Sequence, residues 1–370
     1  ATAIYAPLPE GQARALRRAY EQAGYDARTV ELVEAHGTGT KAGDAAELGG
    51  LKLIFSPEDE TVEQPWCAIG SVKSQIGHTK AAAGSASLTK TVMALSRKAL
   101  PPTIKVDQPS PALTGSPFYA NRELRPWIRD KAHPRRASVS SFGFGGSNFH
   151  VTLEEYTGPL AVQPDRVLSA ELVMLSADTP EALALAVDDT ARRLVHEEDL
   201  AIAASDSHAA FAADAQCRAA ITASSNQDFA AKSGKLAALV RAGTVDGVPL
   251  PKGVSVSLTP AKPGKLAFLM PGQGSQYVGM GRSLALAFPE ARAAWDLAAG
   301  HKKAGKLRLH DLAFPPSAFN EAQAKAQTDT LTAMEHAQPA LAAASLAVLA
   351  VLTKAGITPD TAAGHSFGEI

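Results

Sequence analysis

The stretch that decides the fold is Val30-Glu31-Leu32-Val33-Glu34-Ala35-His36-Gly37-Thr38-Gly39-Thr40. Val30 to Ala35 reads as a short strand, and it runs straight into a glycine-bracketed polar turn that opens with a histidine. The same plan recurs twice downstream. Trp66 to Gly70 is a strand, and the loop Ser71-Val72-Lys73-Ser74-Gln75-Ile76-Gly77-His78 leads to a helix over Ala81 to Lys98 that Pro101 and Pro102 stop. Ala137 to Ser141 and His150 to Glu155 are strands around Phe142-Gly143-Phe144-Gly145-Gly146-Ser147-Asn148. Helices are expected at Pro9 to Gly24, with the glycine as C-cap, and at Ala45 to Phe55, ended by Ser56-Pro57. Strands that alternate with helices make the class α/β.

Imidazole titrates near neutrality, and glycines beside it let a ligand approach the backbone closely. Two neutral ring N–H donors, from His36 and His78, would stabilise an oxyanion or enolate without adding fixed charge. Spacing alone leaves a structural pair and a catalytic pair both open. The wording of the loops is more specific. Glu34 to Thr40 with Gly43-Asp44 and Glu47, Gly70 to Ser74 with Gly77-His78 and Ala82-Ala83-Gly84, and Ser141 to Asn148 with His150 after it resemble the C-terminal half of β-ketoacyl synthases of the thiolase fold. That resemblance covers about residues 1–156. It implies decarboxylative Claisen condensation: malonyl on an acyl carrier protein loses carbon dioxide, and the enolate attacks an acyl thioester held on a cysteine. His36 and His78 match the family's two histidines, Lys73 its positional lysine, and Phe142 the residue that gates the acyl pocket; simple packing is the bland alternative for Phe142 and Phe144. Neither Cys67 nor Cys217 matches the nucleophile, which the family carries upstream.

A second set of motifs lies beyond a change in composition. Residues 157–264 alternate strands (Leu172 to Ser176, Arg218 to Ser224, Val254 to Leu258) with helices (Thr179 to Glu197, Asp228 to Ala242) and carry few candidate catalytic groups, as a small α/β linker domain would. Lys265 to Met270 is then a strand entering Pro271-Gly272-Gln273-Gly274-Ser275-Gln276. Thr361 to His365 is another, meeting Ser366 in Gly364-His365-Ser366-Phe367-Gly368-Glu369, a G-x-S-x-G nucleophile elbow. With Ala337-Gln338-Pro339-Ala340-Leu341 these resemble the start of the malonyl-CoA:carrier-protein acyltransferase domain, over residues 265–370, with an α/β-hydrolase-like core. The resemblance implies that Ser366 is a covalent nucleophile in ping-pong transfer. It implies that the amides of Gln273 and Phe367 form the oxyanion hole, that Gln338 lies near the site, and that a base histidine and a carboxylate-binding arginine follow the elbow.

Synthase, linker and acyltransferase in this order resemble a type I fatty acid or polyketide multienzyme, most like the first subunit of polyunsaturated fatty acid synthases. The implied substrates are malonyl-CoA and the phosphopantetheine arm of acyl carrier protein, with no cofactor bound directly, no metal, and a homodimeric parent. A non-catalytic interdomain scaffold and a serine hydrolase are the other readings. Both ends of the chain read as cuts, and the chain alone is expected to be inactive, to condense nothing, and to aggregate or expose apolar surface.

Composition sets outer limits. The 370 residues are 45% hydrophobic and 20% charged, with a net charge of -1, so they give no electrostatic footprint for nucleic acid or an anionic membrane. Two separated cysteines exclude a zinc or disulfide framework and suit the cytoplasm. The longest apolar stretch, Ala340 to Leu352, reads as a buried helix too short for a bilayer. Arg135-Arg136 is a candidate contact for a carrier protein's acidic helix or a phosphopantetheine phosphate, or else a surface pair. The basic run Lys302 to Lys306 reads as a solvated face, and His133, His196, His208, His301, His310 and His336 as surface or packing groups.

Overall fold

The computed structural model describes residues 6–56, 62–129, 132–161, 168–196, 199–260, 264–300 and 308–370. The run 302–306, His301 and the Phe144 side chain lie outside the described residues. The chain forms two compact units, one of Ala1–Asp165 with Leu266–Ile370 and one of Arg166–Lys265.

The first unit is built on a five-stranded sheet in the order Phe118–Ala120, Cys67–Gly70, Leu32–Glu34, Arg136–Phe142, Asn148–Glu154. The first four strands are parallel and the last is antiparallel. Parallel neighbours need crossovers, and the helix Lys41–Phe55 supplies one. It starts four residues before the expected Ala45 because Thr40 caps it, its hydroxyl accepting the Gly43 N–H at 3.2 Å. The helix Pro9–Ala23 ends on Gly24 at φ 72°, whose N–H returns to the Tyr20 carbonyl. Leu16 and Tyr20 from it meet Leu51, Phe55, Cys67 and Phe118 in one core cluster. The strand Phe118–Ala120 is too short to show a period in sequence; pairing with Cys67–Gly70 creates it.

The helix Ala83–Arg97 turns Ala83, Ser87, Thr91, Ala94 and Leu95 to the interior, and Leu88, Val92 and Met93 stand exposed.

The C-terminal segment of the same unit pairs Ala267–Met270 in parallel with Thr361–Gly364. The helices Pro289–Ala299, Leu309–Ala313 and Met334–Lys354 enclose Trp295, Phe314, Leu312 and Leu341, and the two aromatic rings meet edge to face at 4.8 Å. Met334–Lys354 has 21 residues, longer than the apolar stretch expected, and is long and apolar enough to cross a membrane by length and composition. Its Ala337, Ala340, Leu341, Ala343 and Ala347 lie in the core. Ile128 belongs to this same cluster, so the segment is packed directly on the first one.

The second unit has an antiparallel sheet in the order Val254–Ser257, Cys217–Ala223, Glu171–Ala177. Cys217, Ala219, Ile221 and Ala223 alternate inward against Leu183, Val187, Phe229 and Leu236. A helix at Asp199–Ala210 went unforeseen, since its alanine and serine composition carries little apolar periodicity.

Candidate functional site

His36 follows the carboxyl end of Leu32–Glu34, His78 follows that of its neighbour Cys67–Gly70, and Phe142 closes Arg136–Phe142 on the other side. Adjacent parallel strands thus deliver all three to one edge, where ligands of open α/β sheets bind. The His36 and His78 rings stand edge to face with centroids 5.6 Å apart, and the Phe142 ring lies 5.9 Å from His36.

Two carboxylates hold these loops. Glu47, reaching back from the helix Lys41–Phe55, accepts the His36 N–H at 2.7 Å and the Gly37 N–H at 2.9 Å. Gly37 sits at φ 49°, and a Cβ there would lie 2.7 Å from the Ser71 Cβ, so the two histidine loops press together at a point only glycine allows. Glu34 accepts the Val72 N–H at 2.5 Å and pairs with Lys90 at 2.9 Å. Burial pushes the Glu47 carboxyl up to about 7, against the two amides that favour its ionised form.

Burial, with Lys73 and His78 adding to it, lowers His36 to about 4, so its ring is neutral at pH 7. Burial also lowers Lys73, with Glu34 and Glu47 pulling the other way. His78 accepts the Lys80 N–H on Nδ1 at 3.1 Å, which puts the proton of its neutral form on Nε2. A cavity of about 170 Å³ lies behind the His36 loop, lined by Ala35, Gly37, Glu47, Ser71, Thr103 and Leu113 among others. His150 stands apart from this group, sharing bonds with Ser140 at 3.1 Å and Tyr20 at 3.3 Å, and burial lowers it to about 3.

The second site is the elbow. Ser366 sits at φ 57°, a conformation that side chains other than glycine adopt only under constraint, and it is exposed. The constraint is visible in its neighbours. A Cβ on Gly364 would lie 1.8 Å from the Gly368 carbonyl oxygen, and one on Gly368 2.3 Å from that of Met270. A Cβ on Gly272 would lie 2.3 Å from the His365 carbonyl oxygen and 3.1 Å from the Ser366 Cβ. The turn carrying Gln273 therefore abuts the serine. The Gln273 N–H donates to no acceptor among the described residues, and that of Phe367 lies in the first turn of the 3-10 helix Ser366–Glu369, where no intrahelical acceptor exists. Gln338, half-buried in the helix Met334–Lys354, makes no hydrogen bond with Ser366 or Gln273 among the described residues.

One expectation is overturned. Arg135 is neither a surface group nor available to a carrier protein. It is 1% exposed and donates to the Trp127 carbonyl at 2.5 Å, to Glu155 at 2.9 Å and to both oxygens of Asp296 at 3.0 Å. Arg136 pairs with Glu154 and stacks over the Tyr25 ring at 4.0 Å. The roles of Glu34, Glu47 and Lys90 were missed. A signal existed for Lys90, because the polar Ser87 and Thr91 beside it fall on the buried stripe of its helix.

Geometry and fold define a class: an α/β chain with a paired-histidine site at one sheet edge and a serine elbow after a parallel strand pair. Residues 1–107 match the β-ketoacyl synthase C-terminal domain, 108–221 the ketoacyl-synthetase C-terminal extension, and 267–370 the acyl transferase domain. The chain is thus homologous to the ketosynthase–acyltransferase region of type I fatty acid and polyketide synthases. It is 36% identical to a polyunsaturated fatty acid synthase subunit from Thraustochytrium sp., across 100% of this chain and 14% of that protein. It is 33% identical to polyketide synthase GfsE of Streptomyces halstedii, across 99% of this chain and 9% of that protein. The chain thus spans a small part of these relatives' length. The ketosynthase from module 6 of the bacillaene synthase of Bacillus subtilis 168 aligns with 70% of this chain and 45% of its own, at 31% identity and a TM-score of 0.40.

Proposed function

We propose that this chain serves chain extension in a multienzyme synthase, with His36 and His78 in the condensing step and Ser366 in loading. In condensation, malonyl held as a thioester breaks its bond to the carboxylate and releases carbon dioxide. The enolate left behind carries its charge on the thioester oxygen, where the imidazole N–H groups of His36 and His78 stabilise it. Its carbon then attacks an acyl thioester on a cysteine, forming the new carbon–carbon bond and freeing the thiolate. Lys73 and Phe142 act as supporting groups, one positional and one beside the acyl path. The observation that carries this reading is the edge-to-face pair of His36 and His78, with His36 held neutral, at the ends of neighbouring parallel strands.

In loading, the Ser366 hydroxyl attacks the malonyl-CoA thioester, the tetrahedral oxyanion takes the Gln273 and Phe367 amides, and CoA leaves as its thiol. The thiol of a carrier protein's phosphopantetheine arm then takes the malonyl group and restores the serine. The proposed partners are acyl carrier protein, malonyl-CoA and a second copy of the synthase, in the cytoplasm. Intact-mass measurement after incubation with malonyl-CoA tests the loading half. In the full-length protein, a malonyl adduct on wild type and none on Ser366→Ala is expected. An adduct that survives the substitution would refute the assignment of Ser366, and an adduct replaced by free malonate would favour hydrolysis over transfer.

A further inference from the structure

Glu34 is 1% exposed, and its oxygens join three separate pieces of chain. The residue itself ends the strand Leu32–Glu34, two positions before His36. One oxygen accepts the Val72 N–H at 2.5 Å, immediately before Lys73 and the loop to His78, and the Ser87 hydroxyl at 3.4 Å. The other meets Lys90 Nζ at 2.9 Å, and the Lys90 side chain is itself only 12% exposed. A buried ion pair of this kind is a poor source of stability, because a well-packed apolar pair of similar volume holds a helix on a sheet at least as well. An apolar pair lacks an acceptor for the Val72 amide, and that bond sets the second histidine loop relative to the first.

We propose that Glu34 is a positioning residue for the His36–His78 pair, with Lys90 as the counter-ion that lets a buried carboxylate stay in place to hold the Val72 amide. Its use rests on the functional reading above; its geometry does not. Burial raises the Glu34 carboxyl and Lys90 opposes that, as a counter-ion must. The charged and titratable groups around His36 are Lys73 and His78 from the held loop, Glu47 on its own amide, and Asp44 beside Glu47.

Two double variants of the chain separate positioning from packing. Glu34→Gln with Lys90→Met keeps the amide acceptor and removes both charges. Glu34→Leu with Lys90→Met removes the acceptor as well. The readout is the titration of the His36 ring by NMR, assigned with His36→Gln. The first double variant is expected to titrate as wild type. The second is expected to titrate about half a pH unit higher, as the loop bearing Lys73 and His78 moves away and their influence weakens. Equal titration in the two variants would overturn the proposal, and so would unfolding of either, which would assign the pair to stability alone. The readout involves no malonyl chemistry, so a failure of the condensing role assigned to His36 and His78 would leave this result standing.

Discussion

Replacing Asp296 by alanine strands a buried guanidinium. The Arg135 side chain is 2% exposed, and Asp296 supplies two of its bonds at 3.0 Å and also accepts the Arg129 N–H at 2.9 Å. Hydrogen bonds to charged groups are each worth about 1.5–3 kcal/mol, and removing one partner of a buried pair costs about 3–5 kcal/mol. Glu155, 2.9 Å from Arg135, remains and shares the charge, so the expected loss is toward the lower end, about 3 kcal/mol. Urea denaturation followed by tryptophan fluorescence measures it in the right place. The three tryptophans are Trp66, Trp127 and Trp295, all in the first unit; Trp127 lends its carbonyl to Arg135, and Trp295 precedes Asp296. The double variant Arg135→Met with Asp296→Leu should recover part of the loss, because the stranded guanidinium is gone, although Glu155 is left with Lys98 at 3.6 Å and the Arg129 N–H loses its acceptor. A loss below about 1 kcal/mol for Asp296→Ala would refute the view that this seam is dry and that Arg135 depends on both carboxylates.

Acid should weaken the fold through its buried histidines. His150 is lowered to about 3 from an unfolded value of 6.5, so below pH 6.5 the unfolded chain takes up a proton that the folded chain refuses. Its contribution is fully present above pH 6.5 and is lost as pH falls, at a limiting slope of about 1.4 kcal/mol per pH unit. Urea midpoints at pH 7 and pH 5 for wild type and His150→Gln should show the smaller drop in the variant; equal drops would contradict the assignment. Gly368→Ala should abolish malonyl labelling of Ser366, because its methyl would sit 2.3 Å from the Met270 carbonyl oxygen. Undiminished labelling by intact mass would mean that the elbow tolerates a different backbone path.

The histidine loops and the elbow were legible because each is written contiguously, with a strand, a glycine turn and a polar side chain in one short run. His36 and His78 could be placed at strand ends from local pattern alone, and so could Ser366 between its glycines. The helix after His36 began four residues early because Thr40 caps it. The three-residue strand Phe118–Ala120 stayed hidden, since a ladder partner 51 residues away, Cys67↔Phe118, is what makes it a strand.

Buried charge was the largest gap. Read along the chain, Arg135, Glu34 and Lys90 look like solvated residues. Each is buried by a partner distant in sequence: Asp296 lies 161 positions from Arg135, and Ser87 53 positions from Glu34. The sequence by itself determined which chemical groups this protein carries and the α/β scaffold that presents them. Tertiary structure alone decided how far apart the two histidine rings stand, which carboxylates hold them, and that Arg135 is a seam rather than a surface. The reason is physical: a charge's energy depends on what surrounds it in space, and local sequence fixes only what surrounds it along the chain.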